Sequence, residues 1–194
     1  YHKNLKQYRF EDRIFKRYKN SNISFICVEN TNGCVDTLKH TKDFFKNTNV
    51  PVIIFDSDNY YSFDVLSVWK KDNGVFAIDE MINNKSKITC DDSQNLIEIS
   101  ESSDKPCNHS GTGIYAFKSS DMLFESLNNC KFISEVIMKL ISKDNTFHVY
   151  HVKRSDYHQL GTPFQLQLFQ PITNPALKFC FDLDNTLVTF PKVP

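Results

Sequence analysis

Short apolar runs, each about the length of one buried strand, recur along this chain, and helical patterns lie between them. The runs are rich in β-branched and aromatic residues: ISFICV at 23–28, VIIF at 52–55, GVFAI at 74–78 and IYAF at 114–117. Between the first two runs, Val35, Leu38 and Phe45 recur at helical spacing. A strand, a helix and a second strand in this order predict a parallel crossover, and therefore an α/β fold.

The second half of the chain continues the alternation of strands and helices. The runs at 87–90 and 96–99 predict a hairpin around the turn residues 91–93. Ser120 is the expected cap of a following helix, and the stripe of apolar residues within 133–141 predicts the clearest helix of the chain. Thr162-Pro163 is typical of a helix start, with Pro at the first helical position.

Composition narrows the class of partner. The 194 residues carry a formal net charge of zero, whereas dedicated nucleic-acid binders usually have a basic excess. None of the six cysteines forms a Cys-x-x-Cys pair or has zinc-like spacing to a histidine. We interpret them as buried, reduced thiols of a cytoplasmic protein. The apolar runs are too short to span a membrane, so we expect neither a nucleic-acid nor a membrane partner.

Two carboxylates, Asp56 and Asp58, directly follow the VIIF run. Ligands of an open parallel sheet bind at the carboxyl ends of its strands. Two carboxylates placed there, two residues apart, can face the same way and hold a hard divalent cation. The tripeptide Asp56-Ser57-Asp58 is also of a kind that occurs in plain turns. Its position at a strand end is what favours a metal site.

Two further segments have the composition of ligand-binding loops. SGTGIY at 110–115 combines glycines, which allow close backbone approach, with hydroxyls that can bond sugar or phosphate oxygens. YHQLGTP at 157–163 ends at a predicted helix N-terminus, which favours anions. An ordinary loop before a strand and a capped helix with a surface histidine explain these segments equally well.

The string FDLDNTL at 181–187 follows another apolar run. By the two-residue period of a strand, Asp182 and Asp184 point to the same side. One carboxylate can then attack a phosphorus atom while the other protonates the leaving group. We therefore predict that both residues are catalytic.

Several segments, taken in their order, resemble the sugar-phosphate nucleotidyltransferase family over roughly residues 20–170. They are GCVDTL at 33–38, VIIFDSD at 52–58, SGTGIYAF at 110–117 and YHQLGTP at 157–163. The resemblance implies a three-layer, Rossmann-like α/β fold of the GT-A-like kind, with a mixed, mainly parallel sheet. It also implies an enzyme that joins a nucleoside triphosphate to a sugar 1-phosphate with Mg²⁺ and releases pyrophosphate.

The sequence from Lys178 to Pro194 resembles the first motif of haloacid dehalogenase-type phosphatases. That resemblance implies that Asp182 is the nucleophile and Asp184 the general acid, with both carboxylates at the metal. Fusion of the two types implies a bifunctional enzyme of activated-sugar or surface-polysaccharide synthesis.

The nucleotidyltransferase resemblance carries roles to individual residues. It makes Asp58, beside Asp56, the metal-binding carboxylate. It places Gly33 and Thr37 at the nucleotide.

Within the later segments it places Thr112 and Gly113 near the sugar. His158 is the substrate-binding candidate of the YHQLGTP segment. The family usually has an acid directly before Leu-Gly-Thr-Pro, where this chain has Gln159, and His158 or Asp156 are the candidates to replace it.

The resemblance also divides the chain. We expect residues 1–170 to form a nucleotidyltransferase-like domain that lacks its N-terminal glycine-rich phosphate loop. Residues 171–176 form a linker, and 177–194 the first strand and motif of a truncated phosphatase domain. We therefore expect the 194 residues alone to turn over neither reaction, and the sheet to have an open edge next to VIIF.

Two other functions fit the same residues. A glycosyltransferase of similar fold would use Asp56 and Asp58 to hold a metal ion and the diphosphate of a finished nucleotide sugar. A non-catalytic domain of the nucleotidyltransferase type would explain the neutral Gln159. The order of the SGTGIY and LGTP segments favours the nucleotidyltransferase.

Overall fold

A computed structural model of the chain describes residues 1–101 and 107–169. In this part the chain folds around one mixed sheet and a separate two-stranded ribbon. The strands are β1 Val52–Phe55, β2 Asn59–Tyr61, β3 Gly74–Ile78, β4 Lys87–Cys90, β5 Leu96–Ser100, β6 His109–Phe117, β7 His148–His151 and β8 Tyr157–Gln159.

Strand β6 is the centre of the main sheet. The sheet has the order β5-β4-β6-β3-β7, and β1 pairs with the C-terminal half of β6, from Val52 opposite Phe117 to Phe55 opposite Ile114. Strand β6 runs antiparallel to β1, β3 and β4. The parallel pair among the described strands is β3 with β7. The carboxyl ends of β1, β3, β4 and β7 therefore lie at one edge of the sheet.

The predicted mixed α/β sheet is confirmed, although antiparallel pairing predominates among the described strands because β6 runs opposite to its neighbours. The predicted crossover from residues 23–28 to β1 is wrong. That segment is no strand and makes one isolated bridge, from Val28 to His2. Its Phe25 packs instead against the rings of Tyr1 and Phe15. Consistent with the expected open edge, β1 pairs only with β6 in the described residues.

Helices pack mainly on one face of the sheet. There the buried side chains of α4 and α5, among them Leu123, Val136 and Ile137, contact Val75 and Phe117 of the strands. The helices are α1 Phe10–Arg17, α2 Cys34–Lys39, α3 Val65–Val68, α4 Ser120–Ser126, α5 Ile133–Ile141 and α6 Pro163–Phe169, with 3₁₀ turns at Lys3–Tyr8, Lys42–Phe45 and Arg154–Asp156.

The helix starts test two sequence predictions. The cap of α4 is Ser119, whose hydroxyl accepts from the Met122 N–H at 3.2 Å, and not Ser120. Ser120 is buried and donates to the Thr48 carbonyl at 2.8 Å. The predicted start of α6 is confirmed, because the Thr162 hydroxyl accepts from the Gln165 N–H at 3.2 Å.

The other face of the sheet is covered by α3 and by the ribbon of β2 and β8. Its apolar core joins Phe76 and Ile114 of the sheet to Val65 of α3 and Tyr157 of β8. Because β2 follows β1 after Asp56 and Asp58, the ribbon begins directly at the predicted metal site.

Among residues 1–101 and 107–169, no helix combines the length and apolar character needed to cross a membrane. The predicted linker at 171–176, the strand after it, Asp182 and Asp184 lie outside the described residues.

Candidate active site at the carboxyl end of β1

Asp56 follows β1 and lies against the middle of β6. Its backbone N–H donates to the Gly113 carbonyl at 2.8 Å. Gly113 has φ +84°, and a Cβ atom there would lie 2.7 Å from Asp56 Cγ and 2.8 Å from Asp56 Cβ. Both the backbone conformation and this close approach require glycine. The Asp56 side chain therefore packs directly against the backbone of Gly113.

Asp58 is held in a similar way by the segment that leads from β8 to α6. Its carbonyl accepts from the Leu160 N–H at 2.8 Å. A Cβ atom on Gly161 would lie 2.7 Å from Asp58 Oδ2. The two predicted metal-binding carboxylates therefore each rest against a glycine. A larger residue in place of either glycine would push the carboxylate away.

The positively charged side chain of Lys85, in the loop before β4, reaches the same site. Lys85 Nζ donates to Asn59 Oδ1 at 3.3 Å and lies 6.0 Å from the centre of the Tyr157 ring. The Tyr157 hydroxyl donates to the same Asn59 oxygen at 3.2 Å. Since the positive charge of Lys85 also lowers the pKa of Asp56, Lys85 lies within electrostatic reach of the carboxylates.

The predicted sugar-binding residue Thr112 occupies the wall between the sheet and the ribbon. It is fully buried, and its hydroxyl donates to the Phe76 carbonyl at 3.0 Å. Its carbonyl accepts from the Tyr61 hydroxyl at 2.7 Å and from the Asn59 amide at 3.4 Å. The contact of the Thr112 hydroxyl with a sugar stays a prediction, while in this structure that hydroxyl joins β6 to β3.

Burial dominates the electrostatics of Asp56. The pKa of that carboxyl is raised to about 6, mainly by burial and with smaller contributions from the charges of Asp58 and Glu101, while Lys85 opposes the shift. Burial also raises the pKa of Tyr61 and Tyr157, with added contributions from the two aspartates. A site that crowds two carboxylates in this way favours a bound cation.

We expect Asp56→Asn to stabilise the protein at pH 8 in the absence of divalent cations, by up to about 3 kcal/mol. In the folded protein the Asp56 pKa is raised to about 6 from an ordinary value near 4. The wild type therefore loses stability as the pH rises from about 4 through 6, whereas the neutral amide does not. Denaturant unfolding with a chelator at pH 4 and pH 8 measures the difference.

That difference should fall to about 0.5 kcal/mol at pH 4, where folded Asp56 is nearly neutral and unfolded Asp56 is about half ionised. Asp121→Asn, on the surface of α4, is the matched control and should show no such change with pH. An Asp56→Asn effect of equal size at both pH values would contradict the assignment to buried charge.

Gly33 and Thr37 lie at the start of α2. Gly33 is the N-cap residue with φ +101°, and its carbonyl accepts from the Thr37 hydroxyl at 3.1 Å. The neighbouring Cys34 is within electrostatic range of the site, because its thiol pKa is raised by burial and also by the charge of Asp56. The binding of a nucleotide by Gly33 and Thr37 stays a prediction.

His158 lies on the opposite face of the β2–β8 ribbon from Tyr157. Its ring packs against Tyr60 and Phe169, with centroids 6.1 and 5.0 Å away, and its Nε2 lies 3.1 Å from the Ser155 carbonyl oxygen. Its substrate-binding role stays a prediction that no contact to Asp56 or Asp58 supports. Gln159 is opposite Asn59 in the ribbon and accepts from the Gln165 amide at 3.2 Å.

Sequence reasoning missed Lys85, Asn59 and the two tyrosines of this site. Asn59 and Tyr61 stand directly after the predicted acidic pair, so their proximity was available as a local signal. Lys85 lies in a polar loop far along the chain and had no such signal. It becomes a candidate only because β4 pairs with the start of β6.

With this geometry in place, the fold can be assigned to a class. The chain shares its architecture with solved structures of sugar-phosphate nucleotidyltransferases and related pyrophosphorylases. No protein-family profile and no curated protein matches the sequence.

The individual structures are distant in sequence. A nucleoside-diphosphate-sugar pyrophosphorylase from Vibrio cholerae RC9 superposes with a TM-score of 0.72 at 14% identity, covering 88% of this chain and 78% of that chain. A candidate glucose-1-phosphate thymidylyltransferase from Bacillus anthracis, solved with sucrose, has a TM-score of 0.66 at 16% identity, with 88% and 74% covered. The inositol-1-phosphate CTP transferase of T. maritima has 0.64 at 12%, with 87% and 72% covered. At such identities the likeness concerns the fold.

Proposed function

We propose that this chain is a sugar-phosphate nucleotidyltransferase, which forms a nucleotide sugar from a nucleoside triphosphate and a sugar 1-phosphate. The observation that carries the proposal is the placement of Asp56 and Asp58 at the carboxyl end of β1, each against a glycine. In an open α/β sheet this edge is where ligands bind. The shared fold of the nucleotidyltransferase structures supports the same reaction class.

The two carboxylates fit Mg²⁺, the ion that the proposal requires. Carboxylate oxygens are its preferred protein ligands, and the glycines at 113 and 161 leave the space that the two side chains occupy. Asp58 is exposed and Asp56 half-buried, so one faces solvent and the other the protein. Bound there, the ion would neutralise charge on the triphosphate.

The residues of the chain itself position the substrates. Lys85 supplies a positive charge for phosphate oxygens, and its hydrogen bond to Asn59 holds that charge near the acidic pair. In the proposed reaction an oxygen of the sugar 1-phosphate bonds to the α-phosphorus. The bond from that phosphorus to the bridging oxygen breaks, and pyrophosphate leaves with the electron pair. Catalysis of this kind depends on positioning and on electrostatic stabilisation.

A second activity, phosphate-ester hydrolysis, is proposed for the segment that contains Asp182 and Asp184. It rests on the FDLDNTL string alone. Together the two activities would make the protein a bifunctional enzyme of activated-sugar synthesis.

The test is a pyrophosphate assay of the full-length protein with sugar 1-phosphates, nucleoside triphosphates and Mg²⁺. We expect pyrophosphate release that requires both substrates. A glycosyltransferase would instead consume a finished nucleotide sugar and release a nucleoside diphosphate. Neither product from any combination would contradict catalysis and favour the non-catalytic domain.

A further inference from the structure

A second group of side chains with metal-binding chemistry lies elsewhere along the same edge of the sheet. Cys90 ends β4, His109 begins β6 and His151 ends β7. Their thiol sulfur and one ring nitrogen from each histidine all lie within 4.8 Å of one another. Along β6, His109 is about 13 Å from Gly113 at the usual rise of a strand. The group is therefore separate from Asp56 and Asp58.

Asp79 orients both imidazole rings of this group. Its Oδ1 lies 2.9 Å from His109 Nδ1 and 2.6 Å from His151 Nδ1, and the ring planes meet at 77°. A ring that donates its Nδ1–H to a carboxylate presents its Nε2 lone pair to another partner. Histidines that bind metal ions in proteins are almost always fixed in this way.

The partner found at His151 Nε2 is the side-chain oxygen of Gln94, which also lies 3.7 Å from Cys90 Sγ. With Nδ1–H given to Asp79, the nitrogen lone pair and the amide oxygen are both acceptors. The Cys90 thiol donates to the same oxygen. The contact with His151 Nε2 is satisfied by an imidazolium proton, by a Gln94 amide turned to present its N–H₂, or by a metal ion.

Charge and ligand type favour the metal ion. Asp79 follows β3, and Asp91 and Asp92 follow β4, so three carboxylates stand at this corner of the sheet. Their negative charges attract a cation there. A thiolate with imidazoles is the ligand set of zinc and related transition metals, not of Mg²⁺.

The geometry is close to what such an ion requires. Zinc–sulfur and zinc–nitrogen bonds of about 2.3 and 2.1 Å place tetrahedral ligand atoms roughly 3.5 Å apart. Since the three ligand atoms lie within 4.8 Å of one another, they need to close by roughly 1.3 Å at most. The side chain of His151 is 32% exposed, which leaves both room for this movement and a path for the ion.

We propose that Cys90, His109 and His151 together bind one divalent transition-metal ion of the zinc class. Asp79 is the positioning residue that holds the two rings, and Gln94 or water completes the coordination. Binding replaces the thiol proton of Cys90, which passes to solvent. The ion joins the ends of β4, β6 and β7 at this edge of the sheet. The site is an addition to the proposed transfer reaction and takes no part in it.

The test is titration of the chelator-treated full-length protein with Co²⁺, followed by competition with Zn²⁺. We expect one equivalent of Co²⁺ to produce a thiolate-to-cobalt charge-transfer band and the visible bands of a tetrahedral site, both lost on adding Zn²⁺. Cys90→Ser should abolish the charge-transfer band. Asp79→Asn should keep the band but weaken binding about 10- to 100-fold, as loss of a partner of the metal-binding histidines does.

Cys130→Ser and His40→Asn are the matched controls, since Cys130 bonds the Ser126 carbonyl in another loop and His40 follows α2. Both should bind Co²⁺ like the wild type. Absence of a charge-transfer band in the wild type would show that no metal ion binds through Cys90, and would overturn the proposal. A band that persists in Cys90→Ser would overturn it as well. Neither outcome affects the pyrophosphate assay, because the readout is binding.

Discussion

Asp58→Asn is expected to lower nucleotidyl transfer by the full-length protein at least about 100-fold. The amide keeps the shape of the side chain and its fit against Gly161 but loses the charge that holds Mg²⁺. A metal ion contributes several kcal/mol of charge stabilisation in such reactions, and each 1.4 kcal/mol changes the rate tenfold. Steady-state pyrophosphate release at saturating Mg²⁺ measures the loss.

The fold should survive this change, because the Asp58 side chain is exposed and its backbone carbonyl still accepts from Leu160. An unchanged unfolding midpoint separates lost chemistry from lost structure. Asp121→Asn is again the control and should retain wild-type turnover. Near-normal turnover of Asp58→Asn would place the metal site elsewhere.

Gly113→Ala is expected to destabilise the protein by roughly 2–5 kcal/mol and to lower transfer activity in the fraction that folds. The left-handed backbone at φ +84° costs an alanine about 1–2 kcal/mol. The new methyl group would also overlap the Asp56 side chain, and overpacking of this kind costs about 1–3 kcal/mol. Denaturant unfolding gives the stability, and the pyrophosphate assay gives the activity.

Gly111→Ala is a matched control in the same strand. A Cβ atom on Gly111 would have its nearest neighbours at 3.5 Å, which is ordinary contact. We expect it to change stability by less than about 1 kcal/mol. Equal destabilisation by both substitutions would mean that a side chain added at either glycine of β6 is costly, and that Gly113 has no special relation to Asp56.

The sequence was informative where the signal is local. A β-branched run followed by Asp56 and Asp58 predicts a strand with carboxylates at its end, because strand length and the position of the polar residues follow from neighbouring residues alone. The start of α6 at Thr162 and Pro163 was predictable for the same reason.

Other features depend on which partner a segment meets. The run at 23–28 has the composition of a strand, but its Phe25 finds aromatic neighbours near the N-terminus instead of a sheet edge. Lys85 reaches Asn59 only through the pairing of β4 with β6. Similarly, the spacing of Cys90, His109 and His151 along the chain matches no metal-binding pattern. The three residues come together only because their strands end at the same edge of the sheet.

The central position of β6 has a consequence for the order in which this protein assembles. Val52 pairs with Phe117, about 65 residues later, and among the described strands that precede β6 only β4 and β5 pair with each other. During synthesis, β1 and β3 therefore have no strand to join until residues 109–117 emerge from the ribosome. Non-local pairing of this kind slows folding and leaves apolar strands exposed meanwhile. Until then the first hundred residues expose apolar segments of the kind that chaperones bind.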